Sequence, residues 1–460
     1  MAPNNAMTTY IKRLPNPARA KPPAIRKTPD QVQALRELRA FANSNEIVHA
    51  LSGPAGSGKT TIIAEFVQAC QRTVEVTATT NKAAKVAAAV IGAEAKTIHS
   101  LLGLQPKNDE THGRTILKRE REPTVEPGSL VIVDECSMVD GGLLNQIMSD
   151  AYEHDFQVLF VGDDYQLPPV FEADSPVFAG VPTSRLTRVH RQALDNPVLA
   201  FANGFRSVLD GGDMPRVRNL GDTVRLVEPE RFEADMLDAF ERRGDPDAVR
   251  AMAWTNKRVR ELNQAIRRRL LGTDTDLFAH LRGERFVASR AIKLGRNLVV
   301  PTEGEVLVLE SERDIVQAAG VAVGVEAVRV LYDGRTLDIF VPTDWDAANK
   351  ALSIMRSAAN DLQRRVRAGE RKLDEDRRAA WRAYFEVEEF FADLRPVHAC
   401  TVHKSQGSTY REAFIDVADI GRCTRSDVIA RLMYVATSRA SHSITMMGDL
   451  PGRLYVREAA

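Results

Sequence analysis

The stretch Gly53-Pro-Ala-Gly-Ser-Gly-Lys59-Thr60 sets glycines, a lysine and a hydroxyl at the spacing of a phosphate cradle. Glycines let successive backbone N–H groups curl around a polyphosphate, while Lys59 can reach the β- and γ-phosphates and Thr60 can offer its hydroxyl to Mg²⁺. Gly53, Pro54, Ala55, Gly56, Ser57, Gly58, Lys59, Thr60 and Thr61 therefore form a candidate nucleotide-binding set, and the implied ligand is a nucleoside triphosphate such as ATP. A second group is Asp134-Glu135, which ends the apolar run Leu130-Val-Ile-Val. There Asp134 would help hold Mg²⁺ and Glu135 would polarise an attacking water. An isolated Asp-Glu pair is usually a solvated turn, but a β-branched run leading into it, downstream of a phosphate cradle, favours the catalytic reading. Gln166, in Gly162-Asp-Asp-Tyr-Gln166-Leu-Pro-Pro-Val170, follows a third apolar run and could contact a γ-phosphate.

These groups need a rigid support. Ile47–Leu51 reads as a strand entering the glycine loop and 61–69 as the helix leaving it, with its positive end toward the phosphates. Val74–Ala78, Leu130–Asp134 and Val158–Gly162 are further strands, and their alternation with Ala-rich helices over 28–170 predicts a parallel α/β sheet. The rhythm breaks over 104–128, a polar stretch with Gly113, Pro123 and Pro127, where a short β-hairpin or a disordered loop both fit. A second α/β pattern begins near Arg191, with a strand at Ala251–Thr255, a helix over 257–271, a strand at Phe414–Val417, a helix over 425–434 and a strand at Ser443–Met447. Strand-like runs at 305–309, 325–331 and 336–341 suggest a small antiparallel barrel, followed by a charged helical stretch from Asn349 to Asp393. An insertion within the second lobe accounts for this region.

The chain has 460 residues, enough for about two to four domains. Lys+Arg and Asp+Glu both number 62, so a polyanionic partner would need a local channel rather than a globally basic body. The four cysteines include no Cys-x-x-Cys pair, and His398, Cys400 and His403 match no standard zinc spacing. No apolar run approaches the ~20 residues of a membrane span. Residues 1–25, rich in proline and basic residues, read as a flexible tail without a signal core. A cytoplasmic protein of a bacterial or phage-infected cell is the expectation.

The order of short motifs resembles that of superfamily 1 helicases, specifically the 1B branch of RecD/Dda type. Thr28-Pro-Asp-Gln31 resembles the adenine-reading Q motif, and Thr77-Ala-Thr-Thr-Asn-Lys-Ala-Ala84 and Thr97-Ile-His-Ser100 resemble motifs Ia and Ib. Asp134-Glu-Cys-Ser-Met-Val139 resembles motif II and Gly162–Val170 motif III. Leu186-Thr-Arg-Val-His-Arg191-Gln192 is similar to motif IV, Thr401-Val-His-Lys-Ser-Gln-Gly407 to motif V, and Tyr434-Val-Ala-Thr-Ser-Arg439-Ala440 to motif VI. Gln-Leu-Pro-Pro-Val in motif III, with a short insertion after motif Ib, points to the 1B branch.

The resemblance implies an α/β fold of two tandem RecA-like parallel-sheet lobes. The first (26–190) would carry a small β-hairpin pin at 104–128, with Ile116 and Leu117 as wedge residues. The second (191–282 and 396–460) would be interrupted by an SH3-like β plus helical accessory domain at 283–395. ATP and Mg²⁺ would sit between the lobes, with Gln31, Gln406 and Gly407 joining the nucleotide site and Arg191 and Arg439 acting as arginine fingers. A guanidinium brought from the opposite lobe stabilises phosphoryl charge only when the cleft shuts. The DNA track would be lined by Thr79, Thr80, Thr97 and His99 in the first lobe and Thr401, His403, Lys404 and Ser405 in the second. Trp254 reads as core rather than as a stacking platform, and His99 could equally be a buried structural histidine.

The implied activity is ATP-dependent 5′-to-3′ unwinding of DNA, probed by single-stranded DNA and single-strand/duplex junctions. A single-strand-binding protein is a conceivable partner, and a monomer is the expected functional unit. A Pif-type helicase, a viral superfamily 1 RNA helicase, or a nucleotide-gated subunit of a nuclease or repair complex are the alternatives.

Overall fold

The computed structural model describes residues 27–455 apart from 92–95, 170–171, 189–195, 246, 273–274, 276–278 and 296. The N-terminal tail and Arg191 lie outside the described residues, so neither expectation is met by coordinates.

Six parallel strands form the first sheet, in the order Lys96–Thr97, Val74–Ala78, Leu130–Asp134, Gln157–Gly162, Val48–Ser52 and Thr183–Arg185. Leu130–Val133 and Gln157–Gly162 are buried along their whole length, as expected of parallel strands covered on both faces. Register places Ser52 level with Gly162, and Ala78 level with both Asp134 and Thr97. The segments after these residues therefore leave the sheet at one carboxyl edge, where open α/β sheets hold ligands.

A second all-parallel sheet runs Ala399–Thr401, Val249–Ala253, Tyr410–Asp416, Ala440–Met447 and Val224–Val227. The helix Ser426–Ser438 buries Ile429, Leu432, Met433 and Val435 against this sheet and against Val198, Phe201 and Phe205 of the helix Pro197–Leu209. Two RecA-like parallel-sheet lobes result.

Between Val249–Ala253 and Ala399–Thr401 the chain builds a five-stranded antiparallel sheet, ordered Arg335–Pro342, Val321–Tyr332, Glu305–Ala318, Arg285–Ala288 and Leu394–Pro396. Its core is Val306, Val308, Val328, Val330 and Ile339. The strands Glu305–Ala318 and Val321–Tyr332 extend well past the expected 305–309 and 325–331. Their outer halves carry Glu312, Arg313 and Asp314, whose polarity hides a ribbon stabilised by backbone pairing. Two helices follow, Trp345–Arg367 and Asp374–Phe390.

The 104–128 stretch is an ordered hairpin, Leu104–Asp109 paired with Arg114–Arg119, and not a structureless loop. Its tip rests on the helix Asp374–Phe390. Arg382 pairs with Glu110 at 2.8 Å, Asn108 Nδ2 donates to Glu389 at 2.6 Å, and the Arg377 guanidinium donates to the Thr111 carbonyl. The Arg382–Glu110 pair is solvent-exposed and adds little. Trp381, 2 % exposed, is packed among Ala359, Tyr384 and Phe385 of the insertion's own helices and is covered on one side by Gly113.

Candidate active site

The glycine loop turns because Gly56 and Gly58 sit in the left-handed region, at φ 79° and 86°. Gly58 is the N-cap of the helix Lys59–Ala69. A side chain at Gly53 would collide with Ser57 Oγ at 2.7 Å and Leu186 Cβ at 2.9 Å, so the loop is packed from outside as well as curled. Lys59 Nζ folds onto the carbonyls of Gly53 (2.5 Å) and Pro54 (3.2 Å).

A cleft of about 400 Å³ opens over this loop. Pro54, Ala55, Gly56, Gly58, Lys59, Thr60 and Thr61 line one wall, with Asp134, Glu135 and Gln166 beside them. The opposite wall comes from the second lobe: Gly407, Thr409, Ser438 and Arg439. Gly407 has φ 70°, and a Cβ there would stand 3.1 Å from Ala83 and 3.7 Å from the Glu135 side chain, so the lobes meet closely at this point.

The electrostatics of the cleft are unbalanced. Burial, then the neighbouring Glu135 charge, pushes the Asp134 carboxyl up to about 7, although Lys59 and the Glu135 N–H at 2.9 Å oppose the shift. Glu135 holds φ 52°, a strained conformation for a non-glycine residue of the sort that clusters at working sites. Arg439 is 6 % exposed; among the described residues Nη1 and Nη2 reach only the Ser408 carbonyl (3.4 Å) and Ser438 Oγ (3.3 Å), and Nε is buried without a partner. The Gln166 side-chain oxygen is likewise buried and unpartnered. A buried guanidinium held by two long hydrogen bonds is suited to accept an anion, and a buried carboxylate whose charge is disfavoured is suited to accept a cation.

The remaining expected residues fall in several places. Gln31 is 2 % exposed; its Nε2 donates to Ser57 O at 2.8 Å and braces the loop, while its Oε1 accepts from Thr28 N at 3.1 Å and caps its own helix. Ser57 is buried beneath the cradle rather than in it, and Gln406 Nε2 donates to Leu167 O at 3.2 Å across the lobes. Thr80 and Thr97 accept from Ala83 N and Ser100 N, at 3.2 Å each, and so cap helices. Thr79 lies beside Glu135 and Met138, and burial lowers the pKa of His99 and of His403. Thr401 Oγ1 caps Lys404 N at 3.4 Å, Lys404 is exposed and pairs with Glu303 at 3.2 Å, and Ser405 is wholly buried with its hydroxyl on Val402 O. Trp254 packs against the core of the second lobe, as expected.

Two residues of the helix Ser426–Ser438 cross the cleft: Arg431, which lies outside the quoted motifs, and Tyr434, which opens the segment similar to motif VI but has no role assigned by that resemblance. Tyr434 OH donates to Asp163 at 2.5 Å and accepts from Ala55 N at 3.1 Å, and Arg431 donates to the carbonyls of Asp164 and Gln166 at 2.8 and 2.9 Å. Both lie in an apolar helix that reads as core, and their partners are remote in sequence, so no local pattern marks them.

Residues 27–211 match a family model described as an AAA domain, and residues 396–447 one described as a UvrD-like helicase C-terminal domain. The chain is 26% identical over 427 residues to the ATP-dependent DNA helicase dda of Enterobacteria phage T4, covering 86% of this chain and 93% of that protein. It is 33% identical over 213 residues to the ATP-dependent RecD2 DNA helicase of Deinococcus radiodurans, covering 45% of this chain and 28% of the relative. A solved structure of Pif1 helicase from Bacteroides, in complex with ADP-AlF3 and ssDNA, is similar over 93% of this chain and 94% of its own, at 17% identity and a TM-score of 0.46. With a nucleotide cradle in one lobe, a helicase C-terminal signature in the other and a relative matched almost end to end, the chain reads as a RecD/Dda-like helicase of superfamily 1B.

Proposed function

We propose that this ATP-dependent DNA helicase travels 5′-to-3′ along single-stranded DNA and couples closure of its interlobe cleft to strand separation. The observation that carries the reading is Arg439, buried and under-partnered on the wall facing Lys59 and Glu135. Lys59 binds the β- and γ-phosphates of ATP in place of its two loop carbonyls. Glu135 orients the attacking water, Gln166 contacts the γ-phosphate, and Arg439 neutralises charge that develops in transfer, with Arg191 as a second finger. Thr60 and Asp134 would hold Mg²⁺, which supplies charge neutralisation of the phosphate oxygens. The Asp134 carboxyl, held up by burial and then by the Glu135 charge, fits that role, because a nearby cation would favour its charged form and offset the shift.

Thr79, Thr97 and His99, at the carboxyl edge of the first sheet, and Thr401, His403 and exposed Lys404 in the second lobe are the proposed DNA track. Ser405 and Thr80 support that track through their turns. The hairpin 104–119 acts as the pin, with Leu117 52 % exposed as its wedge residue. The insertion 283–395, SH3-like in its β part, braces the pin from the second lobe. Polarity rests on the Gln166-Leu-Pro-Pro-Val170 segment. The test is unwinding of duplexes bearing a 5′ or a 3′ single-stranded tail, in DNA and in RNA. ATP-dependent opening of 5′-tailed DNA alone is expected; opening of the 3′-tailed duplex would overturn the polarity.

A further inference from the structure

Two residues of one helix face bridge the cleft, and a third on the same face lines it. Arg431, Tyr434 and Ser438 are spaced three and four residues apart, which sets them on one side of the helix Ser426–Ser438. Arg431 grips the loop that carries Gln166, Tyr434 reaches the phosphate cradle, and Ser438 lines the cavity next to Arg439, the C-cap of the same helix. The middle contact is unusual in chemistry. Tyr434 is 1 % exposed and Asp163 is fully buried, so neither has water as an alternative partner. The hydrogen bonds run in one direction: Ala55 N–H donates to the tyrosyl oxygen, and the tyrosyl O–H donates to Asp163 Oδ2. Asp163 Oδ1 accepts from Tyr165 N at 3.1 Å, which ties the carboxylate to its own loop.

A P-loop N–H group is thus engaged by a side chain from the opposite lobe. If the lobes part, Ala55 N–H and Asp163 Oδ2 both lose that partner; the buried Asp163 must then be rehydrated or re-paired, whereas Ala55 already faces the cleft. Movement of the cradle and movement of the helix that ends at Arg439 are therefore the same mechanical event.

We propose that Tyr434 is a positioning residue that transmits the state of the phosphate cradle to Arg439, using its hydroxyl as the link between Ala55 and Asp163. The proposal rests on the reading of Gly53–Thr60 as the ATP cradle. Phenylalanine keeps the ring in its pocket and removes only the link, whereas asparagine at 163 keeps an acceptor for the tyrosyl proton without the charge.

The experiment measures ATPase kinetics with saturating single-stranded DNA, fluorescent-nucleotide binding and ATP consumed per base pair opened, for the wild type, Tyr434→Phe, Asp163→Asn, the double variant and Lys59→Ala. Tyr434→Phe is expected to lower kcat about tenfold or more, leave KM for ATP within about threefold and raise ATP consumed per base pair. Asp163→Asn is expected to fall in between, and the double variant to match Tyr434→Phe rather than multiply the two losses. Unchanged kcat and coupling in Tyr434→Phe, a raised KM with kcat intact, or multiplicative losses would each overturn the proposal. Should Tyr434→Phe fail to fold, a wild-type coupling ratio in Asp163→Asn would overturn it alone. Lys59→Ala separates the two readings: normal nucleotide binding there would remove the cradle assignment itself, whereas lost binding there with a normal Tyr434→Phe removes only the transmission.

Discussion

Gly113 lies so close to Trp381 that a Cβ on the glycine would fall 2.2 Å from the indole Cζ2. The glycine belongs to the hairpin tip of the first lobe and the tryptophan to the helical part of the insertion in the second. Its φ of 65° adds a second reason for glycine at this position. The contact is what fixes the direction of the hairpin, because the strands themselves are largely exposed.

Gly113→Ala should therefore push the tip off Trp381 at a cost of about 1–3 kcal/mol. Single-stranded-DNA-stimulated ATPase should stay within about twofold of wild type, while the rate of duplex opening falls severalfold. A stopped-flow unwinding assay beside an ATPase assay reads both. Loss of the two activities in equal proportion would mean that the hairpin serves the fold and not strand separation.

Arg439→Ala removes a guanidinium whose present hydrogen bonds are long and weak, so the folded protein should change little. ATP binding should persist and turnover should drop by roughly 10³-fold or more, as for other arginine fingers. Equilibrium nucleotide titration and single-turnover hydrolysis separate the two effects. Loss of binding with an unchanged hydrolysis rate would assign Arg439 to ground-state binding.

His398 gives the molecule an acid sensitivity that has nothing to do with catalysis. Burial, followed by the charges of Arg250, Arg267 and Arg285, holds its pKa at about 4, against 6.5 for the free side chain. Its ring meets Phe240 edge-on at 5.5 Å and Nδ1 is buried without a partner. A depressed histidine pKa means that the unfolded chain takes up a proton which the folded chain refuses. The stabilisation is complete above about pH 6.5 and is lost as the pH falls toward 4, by at most about 3 kcal/mol. Urea unfolding at pH 7.5, 6 and 5 should show this decline, and His398→Gln should flatten that part of it. An identical slope in the variant would assign the acid sensitivity to other groups.

The parts of the fold legible in the sequence were those whose surroundings are uniform. Leu130–Asp134 matches its expected bounds because a strand covered on both faces is written as a near-continuous apolar run, and Val74–Ala78 matches through its β-branched Val74, Val76 and Thr77 despite Glu75. Edge strands such as Val224–Val227 and Thr183–Arg185 were not foreseen, since a short strand with one neighbour needs no such run. The cradle was legible because its chemistry is local, from Gly53 to Thr60. Gln31 illustrates the opposite case: its amide ends meet Ser57 O and Thr28 N, a bracing role that its motif position does not spell out. Tyr434 is a similar case: it opens the segment similar to motif VI, but that position does not tell that its hydroxyl meets Ala55 N and Asp163.

The seat of Gly113 on Trp381 has a mechanical corollary. One lobe touches the other at the ATP cleft, through Tyr434 and Asp163, and again at the far end of the hairpin. A stroke that opened the cleft while keeping this second contact would turn the lobes about the hairpin tip, leaving the tip nearly still while the cleft side moved.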